Sequence, residues 1–323
     1  MRATVALLVS SILSLAACGN WTISAPGGCA DLTIHGSALY WTGGLGNTLQ
    51  ILSAPVSGGS PTLLVGDGGA LLYVSDSSLY FLAAGGNDAG LTLSSAPLSG
   101  GTTSVVLTGL GTFQNEVVTD GTTVYWFDGQ GNIEEAPLAG GTPQTFVSSS
   151  DLHGVVPMVI GGSFLFLASG EVVPLDGGAP TYLRSDNMPA SDLNLSFVAD
   201  GQGLYWAESW VGVQDSSTCD GEVGAALLDG SSSKLATDQC FPLSVAADDT
   251  NVYWSNLGAA YWPNGPGGGR FGAGIFAIPK TGGSLRHLSP DSPPLLLPNG
   301  DYLYFCSPSG PRSENSFIGR VPK

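Results

Sequence analysis

Basic residues are scarce in this sequence. Nine Lys and Arg residues stand against 26 Asp and Glu residues in a chain of 323, and 11% of all residues are charged. A chain with a formal net charge of −17 does not follow the phosphates of nucleic acid, so we expect no nucleic-acid partner. Because 43% of the residues are apolar, we expect a packed globular protein and not an acidic disordered one.

The motifs of common enzyme classes are also missing. The sequence contains no HExxH, GxSxG, Walker, CxxC or EF-hand pattern, which removes the usual evidence for metal, nucleotide and serine-nucleophile enzymes. Gly267, Gly269 and Gly272 satisfy a GxGxxG spacing, but no strand leads into them and no helix pattern follows. A flexible Gly-rich loop is therefore favoured over a dinucleotide site, and we expect no cofactor and no metal ion.

One long apolar run is present, at the N-terminus. Arg2 precedes the apolar residues 3–15 and then small residues, which is the arrangement of a secretory signal peptide and is too short to span a bilayer. The junction Leu15-Ala16-Ala17-Cys18 resembles a bacterial lipobox. This resemblance implies cleavage before Cys18, lipid on that residue and, with Gly19 following, a place in the outer membrane. A plain secretory signal beside an unrelated Cys is the alternative.

The expected organisation is a signal peptide over residues 1–17 and a single mature domain over 18–323, exported and held in the cell envelope by lipid. The 48 Gly and 21 Pro residues indicate many turns. Such a composition suits short strands and suits long helices badly.

The mature region repeats an aromatic pair at intervals of 40 to 51 residues. This period is typical of propeller blades of about 40 to 50 residues. We expect the pairs to be core side chains that pack between neighbouring sheets. They are Tyr40-Trp41, Tyr80-Phe81, Tyr125-Trp126, Leu165-Phe166, Tyr205-Trp206, Tyr253-Trp254 and Tyr304-Phe305.

A hairpin signature, Pro-x-x-Gly-Gly, follows most of these pairs. It stands at 55–59, 97–101, 137–141, 174–178 and 279–283, with a variant at 227–231. Glycine supplies the positive φ of tight hairpins, and β-rich runs lie on both sides, so each repeat predicts four strands. We name them a to d, from the inside of the ring outward.

The repeats resemble the YWTD repeats of low-density-lipoprotein-receptor class B propellers. The matching stretches are Leu39-Tyr40-Trp41-Thr42 and residues 225–231, and Gly43 stands where that family has Asp. The resemblance implies an all-β, seven-bladed β-propeller with four antiparallel strands per blade. The seventh repeat stops before its hairpin, so the spare stretch Trp21-Thr22-Ile23-Ser24 is expected to complete the last blade and close the ring.

Four cysteines remain besides Cys18, and in an oxidising compartment they allow three disulfide connectivities. Cys219 and Cys240 lie at the b–c and d–a connections of repeat five. Cys306 and Cys29 lie at the equivalent places around repeat seven. We therefore predict the pairs Cys219–Cys240 and Cys29–Cys306, the second of which would staple the ring.

Candidates for chemistry are few. Asp120, Asp200 and Asp248 each precede a paired Tyr by five residues, as His35 does in the first repeat, and a–b turn hydrogen bonding is the favoured explanation. His153, His287 and Glu208 are weak candidates for a catalytic base near the propeller axis. Ordinary loop positions are the alternative for the two histidines.

The predicted ligand site is built from the long b–c loops of repeats five to seven, at residues 209–222, 256–273 and 307–315. Long loops on a rigid scaffold commonly carry function, and aromatic and Arg side chains are typical of binding hot spots. The alternative is that these aromatics plug the channel or pin their own loops. The residues are Trp210, Tyr261, Trp262, Arg270, Phe271 and Arg312.

Three functions remain open. The favoured hypothesis is a non-catalytic binding or scaffolding lipoprotein whose loop-bearing side takes an envelope protein or glycan. The others are a propeller enzyme, a lyase or a hydrolase of an envelope polysaccharide or small molecule, and a structural subunit of an outer-membrane assembly complex. Because a strand at 21–24 would start from the c–d side soon after Cys18, we expect the a–b and c–d turns to face the membrane.

Overall fold

A computed structural model describes residues 21–25, 27–45, 48–84, 90–111, 117–154, 156–183, 194–209, 219–258, 272–307 and 316–323. These residues form seven four-stranded antiparallel sheets, and the first strands of successive sheets contact one another around a ring. The chain is therefore a seven-bladed β-propeller, as the repeats predict.

Strand bounds follow the repeats. Blade 1 contains β2 (Ala30–His35), β3 (Ala38–Leu45), β4 (Thr48–Pro55) and β5 (Thr62–Val65), and blade 2 contains β6 (Ala70–Val74), β7 (Ser78–Ala84), β8 (Leu91–Pro97) and β9 (Ser104–Leu110). Blade 3 contains β10 (Val117–Thr119), β11 (Thr123–Phe127), β12 (Ile133–Pro137) and β13 (Gln144–Val147), and blade 4 contains β14 (Met158–Gly161), β15 (Phe164–Leu167), β16 (Glu171–Pro174) and β17 (Thr181–Tyr182). A 3-10 turn, Ser149–Asp151, follows β13. Blade 5 contains β18 (Asn194–Ala199), β19 (Gly203–Ser209), β20 (Gly221–Leu227) and β21 (Ser232–Gln239), and blade 6 contains β22 (Pro242–Ala247), β23 (Asn251–Asn256), β24 (Gly274–Pro279) and β25 (Arg286–Ser289). Blade 7 contains β26 (Leu295–Asn299), β27 (Tyr302–Ser307), β28 (Phe317–Pro322) and, as its outer strand, β1 (Thr22–Ser24).

Two faces result from this strand order. We call the end that carries the b–c and d–a connections the loop face, and the end that carries the a–b turns and c–d hairpins the hairpin face. The hairpins close as their sequence predicts. In the first, the Gly58 N–H donates to the Pro55 carbonyl over 2.9 Å, and Gly58 has φ of +100°, a left-handed value that glycine adopts without strain.

The aromatic pairs lie on strand b and form the core, as predicted. Trp41, Trp206 and Trp254 are essentially inaccessible to solvent. A glycine on strand c makes room for the larger rings: a Cβ on Gly224 would stand 2.3 Å from the Trp206 ring, and one on Gly319 would stand 2.5 Å from the Phe305 ring. The packing between neighbouring blades, which we call a seam, therefore depends on glycine at these two positions.

The N-terminal strand closes the ring, which confirms that prediction. β1 pairs antiparallel with β28, with Thr22 opposite Gly319 and Ser24 opposite Phe317. Ile23 is 1% exposed and packs into the cluster shared by blades 7 and 1. A free sheet edge is thereby removed, which is how propellers protect their last blade.

Both predicted disulfides are present. Cys29 is bonded to Cys306 across a separation of 277 residues, and Cys219 is bonded to Cys240 across 21. One detail differs from the prediction: Cys306 lies inside β27 and does not open the following loop. The first disulfide links the connection into blade 1 with strand b of blade 7, so the ring is closed covalently as well as by strand pairing.

Candidate functional site

The predicted ligand loops are the longest b–c connections of the ring. They join β19 to β20, β23 to β24 and β27 to β28, whereas blade 4 joins β15 to β16 through three residues, 168–170. Trp210, Tyr261, Trp262, Arg270, Phe271 and Arg312 lie outside the described residues, as does Cys18. The described stems of these loops nevertheless show how the loop face is built beneath them.

The Cys219–Cys240 disulfide lies at the base of two of these loops. Cys219 lies two residues before Gly221, the first residue of β20, so the disulfide holds the end of the blade 5 loop. The Gly258 N–H donates to the Cys240 carbonyl over 3.0 Å at the start of the blade 6 loop. At the end of that loop, a Cβ on Gly272 would stand 2.5 Å from the Cys240 sulfur. One disulfide therefore lies against three of the four loop ends in blades 5 and 6.

A buried polar network continues this base. The Gln239 Oε1 accepts hydrogen bonds from Trp254 Nε1 at 2.9 Å and Asn256 Nδ2 at 3.0 Å. All three side chains are at most 7% exposed. The Asn256 Oδ1 is buried without a partner, so the network is satisfied in part. Its two hydrogen bonds tie the end of β23 to the end of β21 at the stem of the blade 6 loop.

A groove of about 570 Å³ runs along the outer edge of the seam between blades 6 and 7. It exists because Ile23 turns toward blade 1, so β1 presents the small polar side chains of Thr22 and Ser24 on the other side. The end of the groove at the loop face lies beside Phe317, the first residue of β28 after the blade 7 loop. The lining combines aromatic, polar and oppositely charged residues: Trp21, Thr22, Ser289, Asp291, Tyr302, Phe305, Phe317, Gly319, Arg320, Val321 and Pro322.

Arg320, on β28, turns its guanidinium toward blade 1, where its Nη1 donates to the Val56 carbonyl over 3.5 Å. Its guanidinium carbon lies 4.5 Å from the centre of the Trp21 ring and 4.2 Å from that of Tyr302. Its Nη1 also donates to the Tyr304 hydroxyl over 3.4 Å. Stacking of a guanidinium on aromatic faces positions its N–H groups without a carboxylate partner. Arg320 therefore fixes the start of the closing strand beside blade 1.

Glu208 lies on strand b at the stem of the blade 5 loop. It stands opposite Glu222 in the β19–β20 register, and the two residues are 4% and 8% exposed. Glu222 forms an ion pair with Lys234 on β21. Burial, together with the hydrogen bond and the charge of Glu222, raises the pKa of Glu208 to about 8. A neutral carboxylic acid at this position is therefore the expected form near neutral pH.

His153 follows the 3-10 turn between blades 3 and 4. Its Nδ1 lies 2.5 Å from Glu171 Oε1, and its backbone N–H donates to the same oxygen over 2.9 Å. Glu171 is 2% exposed, whereas the His153 side chain is 75% exposed. Burial disfavours the charged carboxylate, but hydrogen bonds that include these two outweigh it and lower the pKa of Glu171. The pair is an imidazole oriented by a buried carboxylate.

The three catalytic candidates do not meet at the axis. His153 lies 5.7 Å from the ring of Tyr182, which belongs to the outer strand β17. His287 lies inside the outer strand β25, not after it, with its ring 5.0 Å from that of Phe276. Glu208 lies on the second strand from the axis, inside a seam. Each candidate thus stands in a separate environment.

The opposite, hairpin face has the predicted turn chemistry. The Asp120 Oδ1 accepts from the N–H groups of Thr122 and Thr123, both over 2.7 Å, and Asp200 and Asp248 repeat this arrangement. The first-repeat counterpart, His35, contacts Asp76 at 2.9 Å instead. These aspartates are turn formers, which confirms the structural interpretation.

Two of these turns also bind a cation from the next blade. Lys280, in the blade 6 hairpin, pairs with Asp200 and lies 4.8 Å from the centre of the Tyr205 ring. Lys323, at the same place in blade 7, lies 2.7 Å from Asp248. The Lys280 side chain is 7% exposed. The sequence reasoning missed these interblade ion pairs, although Pro-Lys at 279–280 and 322–323, where repeats two to four have Pro-Leu, is a readable signal.

Within the described ranges, no three His, Cys, Asp or Glu side chains are grouped so as to hold a metal ion. In the same part of the chain no helix has the length and apolar character to cross a bilayer.

Comparison with known proteins adds the fold alone. No family model and no curated protein matches the sequence. Among solved structures, a Mycobacterium tuberculosis puromycin-hydrolyzing peptidase matches with a TM-score of 0.60 and 14% identity over 93% of this chain and 52% of its own. An oligogalacturonate lyase in complex with manganese matches with a TM-score of 0.54 and 12% identity over 88% of this chain and 86% of its own. The extracellular domain of a putative one-component system from B. thetaiotaomicron matches with a TM-score of 0.56 and 10% identity over 91% of this chain and 38% of its own.

These likenesses support the propeller. This chain spans about half of the peptidase chain and well under half of the B. thetaiotaomicron chain. Two disulfides in the chain itself are typical of exported proteins.

Proposed function

We propose that this protein is a non-catalytic binding or scaffolding propeller of the bacterial cell envelope, anchored by lipid on Cys18. The observation that carries the proposal is the construction of the loop face in blades 5 and 6. A disulfide and a buried polar network fix the stems of the longest loops, as a binding surface on a rigid scaffold requires. The lipobox-like junction supports the anchor.

The groove at the seam of blades 6 and 7 supports a ligand of glycan or peptide chemistry. Its volume of about 570 Å³ lies within the range of small-molecule sites. Aromatic rings offer flat apolar surfaces, and Asp291 supplies an acceptor. We propose that a ligand contacts the aromatic and Arg side chains of the long loops, namely Trp210, Tyr261, Trp262, Arg270, Phe271 and Arg312, and extends toward this groove.

The proposal is tested by replacing Trp210, Trp262 and Arg270 together with Ala and measuring capture of envelope glycans and proteins. We expect capture to be lost while the melting temperature is retained. Tyr182→Ala is the matched control, because Tyr182 is 53% exposed on an outer strand of blade 4. A folded triple variant that retains every partner would place the site elsewhere on the ring.

The same proposal fixes an orientation. β1 starts at the hairpin face, and Trp21 stands three residues after Cys18, a reach of roughly 10 Å. We therefore propose that the hairpin face turns toward the membrane and the loop face away from it. Protease cleavage in native membranes should reach the loop face first, and preferential cleavage of the Gly-Gly hairpins would reverse the orientation.

A hydrolase or lyase is the second candidate function, and one observation favours it. A buried carboxylate orients the exposed imidazole of His153, as general bases require. A turnover screen against envelope polysaccharides should then find an activity that is lost in both His153→Ala and Glu171→Gln. An activity that survives both substitutions would exclude this pair from the chemistry.

A further inference from the structure

The stem of the blade 5 loop contains a buried pair of acids. Glu208 on β19 and Glu222 on β20 face each other in register, immediately before and after the b–c connection. Directly opposed side chains on antiparallel strands have Cβ atoms roughly 5 Å apart, and two like charges at that separation destabilise the pairing. Two ionised carboxylates would therefore push apart the two strands that support the loop.

The surroundings offer little compensation. Glu208 shares a face of β19 with Leu204, and Leu204 packs against Phe166 and Val172 of blade 4. The seam is thus apolar at Leu204, four residues before Glu208 on the same face. Among the described residues, the charged groups that act on Glu208 are Glu222 and Lys234, and the Lys234 ammonium is already paired with Glu222.

One bound proton resolves this arrangement. An ionised Glu222 and a protonated Lys234 are neutral as a pair, so no described residue would compensate a second negative charge on the buried Glu208. A protonated Glu208 instead has a hydroxyl that can donate to the Glu222 carboxylate, which stands opposite it in the strand register. In the described structure the Glu208 Oε2 is buried and has no hydrogen-bond partner. Acid, carboxylate and ammonium then form a row from strand b to strand d.

We propose that Glu208 and Glu222 share one proton in the folded protein near neutral pH, and that the hydrogen bond made by this proton holds β19 and β20 together at the base of the blade 5 loop. Loss of the proton at alkaline pH leaves two opposed carboxylates, whose repulsion weakens the pairing of these strands. The inference concerns the stability of the described strands and stands whether or not the loop binds a ligand.

The direction of the pH dependence follows from linkage. The usual pKa of a Glu side chain is 4.5, and burial together with Glu222 raises that of Glu208 to about 8 in the folded state. Between these values the folded protein holds a proton that the unfolded chain releases, so stability falls as pH rises from about 4.5 to about 8. Each pH unit in this window lowers the folding equilibrium constant by up to about tenfold.

The test is urea unfolding of the full chain across this pH window, with Glu208→Gln as the variant. Gln keeps the size of the side chain and donates a hydrogen bond without ionising. We expect the variant to lose the pH dependence assigned to this pair and to exceed the parent in stability at about pH 8. Glu135→Gln, which removes a half-buried carboxylate on strand c of blade 3, is the control and should follow the parent profile.

Identical pH profiles for the parent and Glu208→Gln would overturn the inference. Infrared difference spectroscopy gives a second, local measurement: the parent at neutral pH should show a protonated carboxylic acid band that disappears in Glu208→Gln and persists in Glu135→Gln. A parent without this band would also refute the shared proton. Should Glu208→Gln fail to fold, Glu222→Gln, which likewise leaves one carboxyl at the stem, serves for both measurements.

Discussion

Blades 1–4 and blades 5–7 share one strand plan but differ in charge and cross-links. No Lys or Arg occurs between residues 3 and 183, whereas 12 Asp and Glu residues lie in that range. Blades 5–7 contain both interblade Lys–Asp ion pairs of the described residues, the Cys219–Cys240 disulfide and the three longest b–c connections. The core packing of aromatic pairs is common to both regions, so these differences lie at the two faces of the ring.

On the hairpin face, the residue after the hairpin proline contacts the preceding blade through one of two kinds of side chain. The residue after the hairpin proline is Leu138 in blade 3 and Leu175 in blade 4, and both pack against the core of the preceding blade. In blades 6 and 7 that residue is Lys280 or Lys323, paired with Asp200 or Asp248. The position requires a long side chain that reaches the preceding blade, and it accepts either an apolar group or a paired cation.

The loop face shows where cross-links are placed. Cys219 and Cys306 each lie within a few residues of a long b–c connection, and their partners lie on d–a connections. Closing a long loop costs conformational entropy, and a disulfide at its stem holds the two ends of the connection in place. The region with the longest loops is therefore also the region with the most added links.

The largest expected effect is loss of the ring-closing disulfide. Replacing Cys29 and Cys306 with Ser should lower the free energy of unfolding by about 5 kcal/mol, because a loop of 277 residues is released in the unfolded chain. Removing the disulfide between Cys219 and Cys240, which spans 21 residues, should cost about 3 kcal/mol. Urea unfolding of the two double variants measures both values. The reverse order would mean that the local disulfide in blades 5–7 matters more than closure of the ring.

The interblade ion pair of blades 5 and 6 gives the next effect. Asp200→Asn should destabilise the protein by about 2 kcal/mol, because it leaves the largely buried Lys280 ammonium without its carboxylate. The double variant Asp200→Asn with Lys280→Leu converts the site to the apolar type of blades 1–4 and should recover most of this loss. Thermal unfolding compares the three proteins. A double variant as unstable as the single one would show that blades 5–7 need the charged form.

Acid sensitivity should differ between the regions. Burial works against the charged form of Asp248, but hydrogen bonds from Lys323, from the backbone and from Tyr253 hold the pKa of Asp248 well below its usual value. Its contribution to stability is therefore complete above about pH 4 and is lost as pH falls below that value. Asp248→Asn should lose less stability than the parent between about pH 5 and about pH 3.

Asp120 in blade 3 is the matched control for that experiment. Its burial also favours the neutral form, and hydrogen bonds from Thr123 and Thr122 lower the pKa of Asp120, but Leu175 stands where blades 6 and 7 have Lys. Asp120→Asn should therefore flatten the acid limb of the stability profile less than Asp248→Asn. Equal flattening would assign the effect to turn hydrogen bonds common to both regions.

The smallest effect is expected from building the ion pair into blade 4. Leu175→Lys would place an ammonium near Asp120 and Tyr125, in the arrangement of Lys280 with Asp200 and Tyr205. The lost apolar burial and the new ion pair should nearly cancel, within about 1 kcal/mol. Urea unfolding at low and high salt measures the balance. A loss of several kcal/mol would show that the blade 3–4 seam excludes charge.

Most of the fold could be predicted from the sequence. The aromatic pairs and the Pro-x-x-Gly-Gly hairpins repeat with a period that sets the number of blades and strands, and the missing last strand indicated the closing role of residues 21–24. Equivalent positions in the repeats then predicted both disulfides. The long b–c loops predicted in repeats five to seven correspond to long connections between strands of blades 5 to 7, while the ligand site itself remains a prediction.

The sequence by itself determined the propeller, because each blade is a local pattern of strand, aromatic pair and hairpin, and such patterns are visible without knowing what lies across a seam. Only the tertiary structure decided which charged groups meet. Glu208 faces Glu222 because of the strand register, Glu171 holds His153 across a d–a connection, and Lys280 reaches Asp200 in another blade, 80 residues away. The protonation of a carboxyl depends on burial and on neighbouring charges, and both are set by packing between blades and not by residues adjacent in the chain.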